Sequence, residues 1–86
     1  MNDVEKIVLY FFLHKKESAP ACQIQKWAML SRDRMNAAFN QCGGKVFLLE
    51  PNPDDQIGYT IRLLNCPEIE KIVKKHADLL GLNGKR

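Results

Sequence analysis

The sequence has no long hydrophobic run and no segment that resembles a signal peptide. Its longest apolar run covers residues 7–13 and follows an acidic start, whereas a membrane-spanning helix needs about 20 apolar residues. Because the run is too short to cross a bilayer and no targeting segment is present, we expect an intracellular protein, either cytoplasmic or associated with the nucleoid or nucleus.

Side chains that carry out catalysis or hold metals are few. The two histidines, His14 and His76, accompany no Ser-His-Asp set and no glycine-rich phosphate loop. The number of cysteines is odd, and no two of them form a Cys-x-x-Cys motif; they are Cys22, Cys42 and Cys66. They are therefore predicted to be reduced core residues rather than zinc ligands. We expect a protein without enzymatic activity, metal or cofactor.

A large excess of one charge is also lacking. The chain has 13 Lys and Arg against 10 Asp and Glu, which gives a net charge of +3. This excess allows nucleic-acid binding without requiring it. With 86 residues, of which 45% are hydrophobic and 27% charged, the chain has the length and composition of one globular domain.

What the sequence does contain is a helix-turn-helix pattern in the segment 18–44. The first helix is predicted over about residues 20–28 and the second over about 32–42, with a three-residue turn between them. Ser31 is placed to cap the second helix through its hydroxyl, and Gly43 supplies the left-handed residue that ends it. The apolar face of the second helix has i, i+3, i+4, i+7 spacing and consists of Met35, Ala38, Phe39 and Cys42. Two short helices with such a turn form a helix-turn-helix unit.

Another amphipathic helix is predicted over about residues 3–15. Its apolar face consists of Val4, Ile7, Val8 and Phe11. We expect the neighbouring rings of Tyr10 and Phe12 to fill the core, or alternatively to meet a partner chain. Residues 18–20 are predicted to be a short extended piece. Trp27, the only tryptophan, is predicted to point inward as a core anchor rather than to stack on a base.

After Gly44 the hydrophobic period changes from helix to strand. Residues 45–50 and 57–63 are rich in β-branched and aromatic side chains, and 51–56 are turn-formers, which predicts a β-hairpin. A last helix is predicted over about 67–80, because Pro67 opens it and an apolar stripe follows. That stripe consists of Ile69, Ile72, Val73, His76 and Leu80.

The order of these elements resembles that of the winged helix-turn-helix family over residues 4–64. The residues that carry the resemblance are Ile24, Leu30, Ser31, Arg32, Met35, Ala38 and Phe39, followed by the hairpin after Cys42. The resemblance implies an α+β fold with a three-helix core, a β-hairpin wing and a C-terminal helix, in a single domain over residues 1–86. The helix-turn-helix would lie at about 20–42, the wing at about 45–63 and the C-terminal helix at about 67–80.

The resemblance also implies a function, which is sequence-specific binding of double-stranded DNA with helix 3 in the major groove. The residues that would read bases are Arg32, Arg34, Asn36, Asn40 and Gln41, since Arg pairs with guanine and Asn or Gln with adenine. The residues that would contact the backbone are Lys26, Lys45 and Arg62. Such a small domain would act as a transcriptional or replication and partition regulator.

The wing departs from that pattern and keeps an alternative open. The wing carries Glu50, Asp54 and Asp55 without a basic residue at its tip, which is unfavourable beside phosphates. The acidic wing favours a second hypothesis, in which the domain is a protein-interaction module of a larger assembly.

The segment 32–39 is also similar to helix 3 of the Zα domains, which bind Z-form nucleic acid. That similarity assigns Asn36 and Arg32 to the phosphate backbone and puts Tyr59 near the wing tryptophan, whereas Asn40 stands where Zα domains have tyrosine. RNA binding stays open as well.

The C-terminal helix often forms the dimer interface in small winged-helix regulators. Its apolar stripe predicts a homodimer with two recognition helices one DNA turn apart. Alternatively, the helix packs on helix 1 of its own chain.

Overall fold

The computed structural model describes residues 2–42 and 44–77, and it shows a small α+β domain. Four helices combine with a three-stranded antiparallel sheet. The elements, in chain order, are α1 (Asp3–His14), β1 (Ser18–Pro20), α2 (Ala21–Ala28), α3 (Arg32–Cys42), β2 (Phe47–Pro51), β3 (Tyr59–Leu63) and α4 (Pro67–Lys75). Within these residues, no helix has both the length and the apolar character needed to cross a bilayer.

Helix α1 lies at the centre of the packing and begins with a capping box. The Asn2 side chain accepts a hydrogen bond from the Glu5 backbone N–H (2.8 Å), and the Asn2 backbone N–H donates to the Glu5 carboxylate (3.2 Å). This satisfies two backbone donors that the first turn leaves free. The apolar face of α1 enters the core, where Ile7 and Phe11 are completely or almost completely buried. Burial of each such side chain stabilises the fold by about 1.5–3 kcal/mol.

The α2–α3 pair confirms the helix boundaries expected from the sequence. Helix α3 covers Arg32–Cys42, and the Ser31 hydroxyl accepts a hydrogen bond from the Arg34 backbone N–H (3.1 Å). The apolar face of α3 is buried through Met35, Ala38 and Phe39. Gly43, the predicted terminator of α3, lies outside the described residues.

The sheet joins three segments that are distant in the sequence. The strand order is β1-β3-β2, with Ala19 opposite Ile61 and Leu49 opposite Ile61 on the other side. The predicted hairpin is therefore confirmed, and the short extended piece 18–20 becomes its third strand. Ile61 on the middle strand is completely buried, and each outer strand adds a buried residue to the core, Ala19 from β1 and Phe47 from β2.

Helix α4 packs against the core of its own chain. Ile69 is buried, and Ile72 and Val73 are half-buried and packed against the core cluster. The helix ends at Lys75, and Leu80, predicted in its apolar stripe, lies outside the described residues. Most of the apolar stripe of α4 therefore packs within its own chain, where α4 contacts α1 as one of the two alternatives predicted. The homodimer through α4 stays a prediction.

One aromatic assignment on the helices needs correction. Trp27 is 41% exposed, so the prediction of an inward core anchor was wrong. Small side chains, Ala21 and Ala28, fill the buried face of α2 with Ile24, and the indole lies on the flank of the helix instead. Tyr10 is buried as expected.

Phe12 is 37% exposed and borders a groove beside α4, so it lies outside the core, and the alternative that it meets a partner chain stays open.

The cysteines are free and lie at the edge of the core rather than inside it. Cys22, Cys42 and Cys66 are all half-buried. The hydrogen bond with Asp55 raises the pKa of the Cys22 thiol, and burial raises the pKa of the Cys42 thiol. Both thiols are thereby kept in the protonated form, which is the less reactive one.

Candidate nucleic-acid interface on α3

The exposed side of α3 carries polar side chains in two stripes. Residues spaced by four lie one above the other on a helix, so Arg32, Asn36 and Asn40 form one stripe. Arg34 and Gln41, spaced by seven, form the other. All five side chains are exposed, and we call this set the α3 face.

The first stripe is held by the β2–β3 hairpin. The guanidinium of Arg32 donates a hydrogen bond to the Gln56 backbone carbonyl (3.0 Å), and the Tyr59 hydroxyl donates to the Asn36 side-chain oxygen (3.0 Å). The Tyr59 ring also packs edge-on against Phe39, with centroids 6.0 Å apart. The hairpin therefore fixes the positions of two exposed side chains that a helix alone would leave free to rotate.

These bonds decide which groups remain for a ligand. The Asn36 oxygen already accepts one bond, so its amide N–H groups are what the side chain offers outward. Arg32 keeps unused N–H donors after the bond to Gln56, because a guanidinium carries five. Asn40 can both donate and accept. The stripe is thus rich in donors, which suits phosphate oxygens and the acceptor atoms of purines.

The second stripe is neutralised by α1. Arg34 pairs with Asp3 through two hydrogen bonds, from Nε (3.0 Å) and from a terminal nitrogen (2.7 Å). The bond to Asp3 raises the pKa of Arg34, which stays charged at any ordinary pH. The Arg34 side chain is 55% exposed, so the pair is screened by water and contributes little stability. Its main consequence is to cancel a positive charge on the α3 face.

The remaining predicted contact residues do not join the α3 face. Arg62 follows the buried Ile61 on β3, so it points to the opposite side of the sheet from Tyr59. There it pairs with Glu50 at 3.4 Å. Lys26 is exposed on α2.

Lys45 borders a cleft of about 430 Å³ between the ends of α1 and α3 and the side of α4. It lies close enough to Glu68 to help lower the pKa of that carboxyl, after the backbone and Cys66 hydrogen bonds that act more strongly.

The hairpin loop, residues 52–58, is less acidic at its surface than the sequence suggests. Asp55 was expected to be an exposed tip residue, but it is only 8% exposed and turns inward. Its carboxylate accepts hydrogen bonds from the backbone N–H groups of Cys22 (3.0 Å), Ile57 (2.8 Å) and Gly58 (3.0 Å). Asp54 is left as the exposed carboxylate of this loop.

The role of Asp55 was missed by sequence reasoning, although one signal was present. Helix α2 begins after Pro20, whose side chain cannot cap a helix, and no side-chain cap comes from that residue. A helix start without its own cap needs an acceptor from elsewhere. Asp55 supplies it from the hairpin loop, 33 residues along the chain.

Comparisons with known proteins provide no further guidance about this interface. The chain matches no family model, no curated protein and no solved structure.

Proposed function

We propose that the chain is a winged helix-turn-helix domain that binds double-stranded DNA, with α3 in the major groove and the β2–β3 hairpin as the wing. The observation that carries the proposal is the stripe of Arg32, Asn36 and Asn40, two of which are held in place by the hairpin. A rigid row of donors one helical turn apart matches what base and phosphate contacts require. A small transcriptional or replication and partition regulator is the role that suits such a domain.

In this proposal the amides carry most of the sequence reading. Asn40 and Gln41 are exposed near the C-terminal end of α3 and can each form the paired bonds that adenine accepts. Arg32 and Asn36, whose inner atoms are engaged by the hairpin, donate to phosphates or to guanine. Lys26 and Lys45 supply weaker contacts from neighbouring elements, and Arg62 lies on the wrong side of the sheet to take part.

Charge limits the affinity that the proposal allows. On and beside α3, Arg32 and Arg34 are balanced by Asp33 and Asp3. Few phosphates are therefore neutralised on binding, and few counterions are released. We expect weak non-specific binding and a shallow dependence on salt.

Replacing Asp3 with asparagine should strengthen DNA binding. The change removes the carboxylate that pairs with Arg34, so the guanidinium becomes free to bind a phosphate. We expect about threefold tighter binding to random duplex DNA at low salt, with a log–log salt slope steeper by about one unit. Fluorescence anisotropy at several salt concentrations measures both quantities.

The matched control is Glu70→Gln. It makes the same change in net charge, also in the first turn of a helix, but on α4. If the two variants strengthen binding equally, the effect is one of net charge and Arg34 does not contact DNA.

A second candidate function follows from the same charge balance. An α3 face whose two arginines are balanced by the neighbouring Asp3 and Asp33 suits a protein partner at least as well as DNA. In that case the domain is an interaction module of a larger assembly. The Asp3→Asn experiment separates the two, because a protein-interaction module shows no binding to duplex DNA in either form.

The Asn36–Tyr59 bond also joins Asn36, which the similarity to Zα domains assigns to the phosphate backbone, to Tyr59, which that similarity puts near the wing tryptophan. Left-handed and right-handed duplexes of the same alternating sequence are therefore compared in the same titration. If the protein prefers the left-handed duplex, α3 recognises the phosphate backbone of Z-form nucleic acid and does not read bases in the major groove.

A further inference from the structure

Solvent-exposed side chains, including a tryptophan, lie near the C-terminal ends of α1 and α2. The Trp27 ring is 41% exposed, and its centroid is 5.5 Å from that of Tyr10 and 5.8 Å from that of His14, both in edge-on contact. Met29 follows at the end of α2 and is 85% exposed. We call His14, Trp27 and Met29, with the neighbouring Lys15 and Lys26, the Trp27 surface.

Met29 is a costly residue for the fold at this position. Its backbone is left-handed, with φ of 57°, a conformation in which glycine is free of strain and a long side chain is not. Because the side chain is almost fully exposed, it contributes nothing to the core that would offset this cost. The left-handed backbone itself serves the fold, because the Met29 and Leu30 N–H groups donate to the Gln25 carbonyl and close α2. The long, exposed side chain has no such role, and a costly side chain without a structural role is expected to serve a function.

The charges beside this cluster are positive and unpaired. Lys15 follows His14, and Lys26 precedes Trp27. Within residues 2–42 and 44–77, neither lysine lies within 4.0 Å of a carboxylate, in contrast to Arg34, Arg62 and Lys75.

Lys16 and Glu17 are exposed and line the groove beside α4, and Glu17 is the one acidic side chain in the adjoining segments 13–17 and 25–30.

We propose that the Trp27 surface docks an acidic protein segment that carries an apolar anchor side chain. Tryptophan and methionine are enriched at protein interfaces, and a flexible thioether adapts to an inserted aliphatic or aromatic group. The lysines complement carboxylates on either side of the anchor.

Single-stranded nucleic acid fits this surface less well. Met29 offers neither a polar group nor a ring to a nucleotide, and Tyr10 and His14 already contact the indole. The proposal does not depend on DNA binding by α3, since Lys26 is the one residue that it shares with the residues assigned to DNA.

Trp27 is the only tryptophan in the chain, so its fluorescence reports on this surface alone. The probe is a short synthetic peptide of glutamate and leucine residues, titrated to about 1 mM, where a weak complex is still detectable. A second peptide has lysine in place of glutamate, and an oligothymidylate tests stacking. We expect saturable quenching or a spectral shift with the acidic peptide only.

The variant that tests the site is Met29→Gly. Glycine suits the left-handed backbone, so the fold should be as stable as before or more stable, while affinity for the acidic peptide should fall about tenfold. Lys26→Glu should also weaken binding. Leu48→Ser, which removes a leucine of 45% exposure on β2, is the matched control and should leave binding unchanged.

The proposal is overturned if the acidic peptide does not bind, if the basic peptide binds equally well, or if Met29→Gly keeps full affinity. A response to the oligothymidylate alone would identify the surface as a nucleotide-stacking site instead. Because Arg32→Ala leaves the Trp27 surface intact, peptide binding that survives in this variant separates the present proposal from DNA binding.

Discussion

Replacing Asp55 with alanine should lower the free energy of unfolding by about 2–4 kcal/mol, although the residue lies in a loop that looks like an ordinary turn. The carboxylate is 8% exposed and accepts three backbone N–H bonds. Alanine leaves all three donors without this partner, and a buried donor without an acceptor costs about 1–3 kcal/mol. Urea denaturation followed by circular dichroism measures the change.

The effect is large because Asp55 stabilises two elements together. It caps the start of α2 through Cys22, and it closes the hairpin loop through Ile57 and Gly58. An anion at a helix N-terminus is also favoured by the helix dipole. Loss of the carboxylate should therefore loosen the hairpin from α2, and with it the Tyr59 and Gln56 contacts that hold the α3 face.

Asp54→Ala is the matched control for this prediction. Asp54 is exposed, and among the described hydrogen bonds only its backbone N–H takes part, donating to the Asn52 side chain. We expect a change within about 0.5 kcal/mol. Equal destabilisation by the two alanines would show that the loop, and not the buried carboxylate, is what matters.

The stability that Asp55 supplies should also depend on pH. Burial raises the pKa of its carboxyl, but the hydrogen bonds from the Cys22 thiol and from the backbone of Cys22, Gly58 and Ile57 lower it more. The net pKa lies below the ordinary value of 3.8. The stabilisation is therefore complete above about pH 4 and is lost as the pH falls through the lowered pKa of the folded protein.

The second large effect is expected at Glu5, where replacement by alanine should cost about 2–3 kcal/mol. Its carboxylate accepts bonds from Lys75 Nζ (2.9 Å), from the Asn2 backbone N–H (3.2 Å) and from His76 Nε2 (3.2 Å). These contacts join α1 to α4. The His76 side chain is only 13% exposed, so removing the carboxylate leaves a largely covered ring nitrogen without its partner. Urea denaturation gives the magnitude.

The pH dependence at Glu5 has the same sign as at Asp55. The hydrogen bond from Lys75 lowers the pKa of the Glu5 carboxyl most, burial opposes it, and the bonds from His76 and Asn2 lower it further, from 4.5 to about 2. The contribution is complete above pH 4.5 and disappears as the pH approaches 2. Glu5→Gln should therefore flatten the acid limb of the stability profile.

Lys75→Met serves as the control within the pair. The Lys75 side chain is 62% exposed, so this change should cost less than 1 kcal/mol, because water screens exposed ion pairs. If Lys75→Met is as costly as Glu5→Ala, the salt bridge rather than the buried carboxylate network holds α4.

The helix-turn-helix was predictable from the sequence because its determinants are local. The limits of α3 follow from the Ser31 cap and from an apolar period within one helix. The hairpin follows from alternation and turn residues. Pairing of β1 with β3 was not predictable, since residues 18–20 and 60–62 meet only when the chain folds.

The candidate site depended on contacts across the fold that local pattern does not contain. The hydrophobic period of α3 predicts which of its side chains are exposed, and all five residues of the α3 face are indeed exposed. The period does not predict that Arg34 pairs with Asp3 or that Tyr59 donates a hydrogen bond to Asn36, because these partners are 31 and 23 residues apart in the sequence. Nor does turn composition predict that Asp55 faces inward.

The prediction that Trp27 is buried was wrong for a related reason. Helix α2 has eight residues, and its core-facing positions are taken by Ala21, Ile24 and Ala28. The apolar character of tryptophan predicted burial, but the space beside these small residues is filled by α1. The indole therefore rests on Tyr10 and His14 at the rim.

DNA recognition by α3 is best tested by a salt titration of the wild-type protein against random duplex DNA, followed by fluorescence anisotropy. We predict binding at low salt with a log–log slope of about −2 to −3, because a nearly neutral α3 face neutralises only two or three phosphates. Arg32→Ala should make the slope shallower by about one unit. Absence of binding at the lowest salt, or a slope that Arg32→Ala leaves unchanged, would contradict DNA recognition by α3.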